Sequence, residues 1–172
     1  TNYAGFQIQR NANSIQAELE KAMEIFYKLK FELTGSSRTD AGVHALQNFF
    51  HFDTDVTINN DAYNLNAILP DDIVVKRIFN VDDNAHCRFD ALSREYHYYI
   101  YQHKNPFLQG RACYVPYMVD LNLLQQAAEE IKNHTDFTSF SKRNTQVKSF
   151  ICKIYTSEWV QEEACLVYKI KA

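Results

Sequence analysis

Glycine and proline are scarce in this chain, at four and three residues of 172. There is no low-complexity segment and no sequence repeat, so repeat arrays are excluded. The four cysteines, Cys87, Cys113, Cys152 and Cys165, form no CxxC pair, which removes zinc-finger and thioredoxin readings. With no secretory signal in view, reduced cytosolic thiols and a cytoplasmic location are the expectation. No apolar run approaches the roughly eighteen residues of a membrane span, so no membrane association is expected. GxSxG, HExxH and Walker-type phosphate loops are all missing, which leaves no motif for a Ser–His–Asp hydrolase, a zinc protease or a nucleotide hydrolase. The net charge of −3 excludes a globally basic nucleic-acid binder, so contact with RNA would need local positive patches.

What remains is an ordinary globular composition, 46% hydrophobic and 23% charged, long enough for one domain or two small ones with a buried core. Aromatic content is high at 14%, with eleven Tyr and twelve Phe. Such residues serve sheet cores or base-stacking surfaces, and composition alone favours the former. Ile15, Leu19, Ala22, Met23 and Phe26 recur at helical spacing and predict a helix over Ser14–Lys30, with Ser14 as N-cap. A second amphipathic helix is expected over Leu121–Asn133, and a short one over Asp61–Ile68. Strands are expected at Phe31–Leu33, Gln47–Asp53, Ile73–Val81 and Ser93–Gln102. Phe150–Trp159 and Cys165–Lys171 read as an antiparallel hairpin joined by Gln161-Glu162-Glu163. The pattern implies an α+β fold, an antiparallel sheet with helices on one face in RRM- or ferredoxin-like halves. The expected division is 1–103 and 104–172.

The two central glycines bracket the densest chemistry. Between Gly35 and Gly42 lie Ser-Ser-Arg38-Thr-Asp40-Ala, followed by Val43 and His44. Asp40 has two readings. It can be an Asx-type turn residue that caps its own loop, or a carboxylate held ionised beside the Arg38 guanidinium and usable as nucleophile or general base. Tyr96, in Arg94-Glu95-Tyr96-His97-Tyr98, is either a core tyrosine on a strand or a ring that stacks on an extruded base. Lys142, Arg143 and Lys148 form one basic group; Arg88 and Arg94 form another. His44, His51, Asp53 and Asp55 match no zinc spacing, so no metal is expected; His51 reads as core or groove lining, and His86 and His97 as isolated.

The segment Arg38-Thr-Asp-Ala-Gly-Val-His-Ala45 resembles the signature of the TruA-type tRNA pseudouridine synthases. Tyr3-Ala-Gly-Phe-Gln-Ile-Gln9, Asn66-Ala-Ile-Leu-Pro-Asp-Asp-Ile73, Ala85-His-Cys-Arg-Phe-Asp-Ala91 and Asp136-Phe-Thr-Ser-Phe140 are similar to further segments of the same family, in the same order. The resemblance implies the pseudouridine synthase fold and isomerisation of uridine to pseudouridine in the tRNA anticodon stem-loop, at tRNA positions 38, 39 and 40. It implies no cofactor and a homodimer. It makes Asp40 the catalytic aspartate, Arg38 its neighbour that helps hold the flipped nucleotide, and Tyr96 the ring that packs on the target base.

The chain departs from the family pattern in three places. It starts without the strand that leads into the first segment. It stops at Ile170-Lys171-Ala172, where the family continues into a further long stretch bearing an active-site Arg, so a fragment with its C-terminal part missing is expected. Gly-Ser-Ser-Arg stands where Gly-Arg is common before Thr-Asp, an extra small residue. A non-catalytic RNA-binding module of RRM-like type and a structural interaction protein are the other functional classes; only the enzyme requires an Asp beside an Arg on this loop.

Overall fold

A computed structural model of the chain describes residues 2–141 and 149–172. The chain forms two compact units, Thr1–Ala91 and Leu92–Ala172. This places the strand around Tyr98 with the second unit, whereas the expected division at residue 103 put it with the first. The overall class is α+β, as expected.

In the first unit, α1 (Ile15–Tyr27) starts at Ser14, whose extended backbone and side-chain oxygen cap the Ala17 N–H. The helix stops at Tyr27 rather than Lys30 because Lys28 takes up a left-handed conformation and closes the last turn onto Glu24 O. Leu19, Ala22 and Met23 on its inner side join Phe6, Phe31, Leu33, Leu65 and Leu69 in one core. Leu65 comes from α2 (Ala62–Asn66).

Two expected strands are not formed here. Around Phe31–Leu33, the Leu33 N–H donates to Glu20 Oε1 (2.9 Å) and the Leu33 carbonyl accepts from Gln16 Nε2 (2.9 Å). Helix side chains thus occupy the groups that a strand partner would use. Around Ile73–Val81, the Asn66 carboxamide takes both backbone groups of Val75 (2.7 and 2.9 Å), and Asn60 Oδ1 accepts from Ile78 N–H. Ile73, Val75 and Ile78 still pack on the core, so the alternating pattern reports burial without a ladder. The strand expected over Gln47–Asp53 shortens to a two-residue pairing, β1 (Thr34–Gly35) with β2 (Phe50–His51), antiparallel.

The second unit is built on β3 (Glu95–Tyr101), β4 (Cys113–Tyr114), β5 (Thr156–Glu162) and β6 (Cys165–Lys171), in the order β4-β3-β6-β5. The sheet is mixed rather than purely antiparallel: β4 runs parallel to β3, returning through a short 3-10 turn at Pro106–Leu108. The β5–β6 hairpin is as expected, with a tighter turn at Glu163 (φ 41°) and Ala164. Its first strand begins at Thr156, because residues 150–152 pair with 135–137 instead, through Phe137 N–H to Phe150 O (3.0 Å) and Cys152 N–H to Thr135 O (2.9 Å). α3 (Leu121–Lys132) packs on β5, where buried Ser157 donates to Ala128 O (2.7 Å) and Trp159 N–H to Gln125 Oε1 (3.0 Å). Among the described residues no helix is long and apolar enough to cross a membrane.

Candidate active site

The loop carrying Arg38 and Asp40 is an excursion between β1 and β2. Its neck is closed by the Gly35–Phe50 pair, then by Ser36 N–H to Phe49 O (2.8 Å). Beneath the neck, Cys87 Sγ donates to Thr34 O (3.1 Å) and the Cys87 N–H donates to His51 Nδ1 (3.3 Å). The His51 ring lies 4.7 Å from that of His86, which in turn lies 4.1 Å from Phe89. His51 is therefore half-buried packing, in keeping with its reading as lining, and His86 is not isolated. The Arg88 guanidinium sits over the Phe89 ring (5.9 Å).

Asp40 opens a tight turn. Its own carbonyl accepts from Val43 N–H (3.2 Å), and Gly42 at the third position has φ +83°, the shape that a type II turn demands. The backbone, not the carboxylate, makes this turn, which removes the Asx-cap reading. The Asp40 carboxylate is exposed, and so is Arg38. The preorganised ion pair expected between them is not formed: among the ion pairs of the described residues neither takes part. Both side chains project from a fixed backbone with their charges open to a ligand.

That backbone is fixed from behind by a segment that spacing alone did not single out. Phe6 N–H donates to Thr39 O (3.0 Å), and Gly5 (φ +96°) comes so close that an added Cβ would lie 2.6 Å from Thr39 O and 3.3 Å from Ala41 N. The Gly5 and Phe6 carbonyls accept from Ile15 and Gln16 N–H at the start of α1. The loop thus rests, through two backbone layers, on a capped helix. Beside it, burial and then the hydrogen bond to Asp72 (2.6 Å) push the Tyr3 hydroxyl up to about 12.

Tyr96 belongs to the second unit. It lies on β3 opposite Ile170 and is 54% exposed, with Tyr98 next on the same face at 57%. The core-tyrosine reading of Tyr96 fails; burial on β3 comes at its far end, where Ile100 and Tyr101 are inside. A hydrogen bond with Cys113 raises the Tyr98 hydroxyl above its ordinary range. His97 pairs with Glu95 (2.7 Å), a contact that holds the exposed Glu95 carboxyl below its usual range. Arg94 joins the sheet's end by two backbone bonds to Ala172. The basic group Lys142, Arg143 and Lys148 lies outside the described residues. Among the described residues no group of three or more His, Cys, Asp or Glu side chains is arranged to hold a metal ion.

No protein-family model matches the chain. Curated relatives do match it. It is 40% identical over 166 residues to proteins named tRNA pseudouridine synthase A from Staphylococcus aureus strains JH1, N315 and Newman. The match takes in 94% of this chain and 62% of each relative, so the chain spans less than two thirds of their length. Through nearly all of its own length the chain is similar to proteins named tRNA pseudouridine synthase A, consistent with a TruA-type enzyme.

Proposed function

We propose that this chain carries the catalytic aspartate of a tRNA pseudouridine synthase. Its reaction is the isomerisation of uridine to pseudouridine in the anticodon stem-loop, at tRNA positions 38, 39 and 40. The observation that carries the reading is the Asp40 carboxylate: exposed, engaged in no ion pair among the described residues, and held on a turn whose backbone is braced from behind. A structural aspartate would spend its oxygens on its own loop.

The chemistry asks for such a group. The N1–C1′ bond breaks with its electron pair leaving on uracil. The base turns, C5 bonds to C1′, the C5 proton is lost and N1 gains a proton, so the net change is an isomerisation. An ionised carboxylate serves this by bonding to C1′ or by taking a proton from C2′, and both routes put Asp40 at the sugar. Arg38, two residues away with its guanidinium outward, suits the phosphate or sugar of the extruded nucleotide. Tyr96 offers an exposed ring to the uracil. Extruding the base costs a few kcal/mol, roughly what stacking on one ring returns. The family resemblance adds RRM-like halves of the pseudouridine synthase fold, a homodimer, a cytoplasmic location and no cofactor.

Tritium release from an anticodon stem-loop RNA labelled at uridine C5 tests the reading in the full-length protein that contains this sequence. Asp40→Asn is expected to lower release by about a thousandfold or more, as loss of a covalent or proton-transfer catalyst does. Tyr96→Leu is expected to slow it by about ten- to a hundredfold, the worth of one stacking contact. A full rate in Asp40→Asn would refute the assignment. Exposed Tyr96 and Tyr98 side by side also favour a second reading, a stacking platform that binds single-stranded RNA without turnover. Tight binding, with no release even by the unaltered protein, is its mark.

A further inference from the structure

We propose that Asn48 is a positioning residue for Asp40, its carboxamide fastening the two ends of the catalytic loop together. The inference rests on the reading of Asp40 as catalytic. β1 and β2 are two residues each, a poor base for a loop that must hold a reacting group, since short isolated pairings are marginal in water. Asn48 lies just beyond them. Its Oδ1 accepts from the Ser36 hydroxyl (2.8 Å) and from the Phe49 N–H (3.0 Å), while its Nδ2 donates to the Ser37 carbonyl (3.1 Å). One amide therefore joins the outgoing strand to the returning one at the last residue before Arg38.

The orientation of that amide is determined by its partners. Turned over, it would set NH₂ against the Phe49 N–H and a carbonyl oxygen against the Ser37 carbonyl. Both ends are needed, so no acid or hydroxyl at position 48 reproduces the arrangement. The two serines between Gly35 and Arg38 are the residues that the amide ties. A reacting group misplaced by about an ångström loses on the order of a hundredfold in rate without losing affinity. The clasp should accordingly appear in turnover rather than in binding.

The test uses the full-length protein and the same tritiated stem-loop RNA, with rates at saturating RNA, KM, RNA affinity by filter binding, and folded fraction by circular dichroism at the assay temperature. Asn48→Asp keeps the acceptor and loses the donor, Asn48→Ala loses both, and Ser36→Ala removes one partner. The saturating rate is expected to fall about tenfold or more in the two Asn48 variants and about threefold in Ser36→Ala, while KM and RNA affinity stay within about twofold. A residue that only supports the fold would leave the rate of the folded fraction unchanged, and that result overturns the inference. If Asn48→Ala does not fold, Asn48→Asp and Ser36→Ala decide the matter in the same way. Asp40→Asn runs alongside. Its inactivity with unchanged Asn48 variants refutes the clasp alone, whereas continued release refutes the functional reading and the clasp with it.

Discussion

The backbone around Asp40 and the backbone around Tyr96 are held in opposite ways. In the first unit, side chains and distant turns take up the main-chain groups: Glu20 and Gln16 hold Leu33, Asn66 holds Val75, Asn60 holds Ile78, Asn48 holds Ser37, and Phe6 holds Thr39. In the second, β3, β5 and β6 pair in unbroken register from Glu95–Lys171 to Glu162–Cys165. A ladder sets many side chains at equal intervals, which suits a row of rings. Side-chain clamps set one residue at one place at the expense of regularity, which suits a reacting carboxylate.

The comparison can be broken from either end. Gly5→Ala should have the largest effect, since the new Cβ meets Thr39 O and the residue must also hold φ +96°. A loss of about 1–3 kcal/mol is expected by urea unfolding, together with loss of turnover in the full-length protein. A variant of unchanged stability and rate would show that the two backbones do not need their close approach. Ser157→Ala strikes the regular unit, where a buried hydroxyl donates to Ala128 O and lies 2.8 Å from Tyr168 Oη. About 1–2 kcal/mol is expected, because a buried hydrogen bond is lost and Tyr168 Oη loses this partner. Unfolding followed by fluorescence of Trp159, the chain's single tryptophan, reports it, and the saturating rate of the folded variant should not move.

A further effect concerns pH. Tyr3 titrates near 12 in the fold, against about 10 when exposed. The folded state therefore keeps a proton that the unfolded chain has lost, and this contribution is complete below about pH 10 and disappears as pH rises toward 12. Tyr3→Phe should flatten the fall in stability across that window. An unchanged slope would remove Tyr3 from the account.

The same contrast decides what could be read from the sequence. α1 follows from apolar spacing and its cap, α3 from apolar spacing, and β3, β5 and β6 from their strand-like runs, because in each the partners are local or in register. The strands expected at Phe31–Leu33 and Ile73–Val81 were misread. Their alternation is real, but their hydrogen bonds go to amide and carboxylate side chains 9 to 18 residues away, and spacing carries no sign of that. Asp40 and Arg38 were legible as charges on a glycine-bracketed loop, yet the pair between them was not formed, since proximity along the chain does not fix where two side chains point. Gly5 and Asn48 were hidden for a related reason: each acts on a backbone group far from it in sequence.

Gly5 and Gly42 also differ in what they forbid. At Gly42 an added Cβ would meet nothing within 4 Å, so only the torsion excludes other residues. The restriction there is one of handedness rather than of size. A D-alanine introduced at position 42 by chemical ligation should adopt the torsions of the turn readily, where L-alanine would distort it.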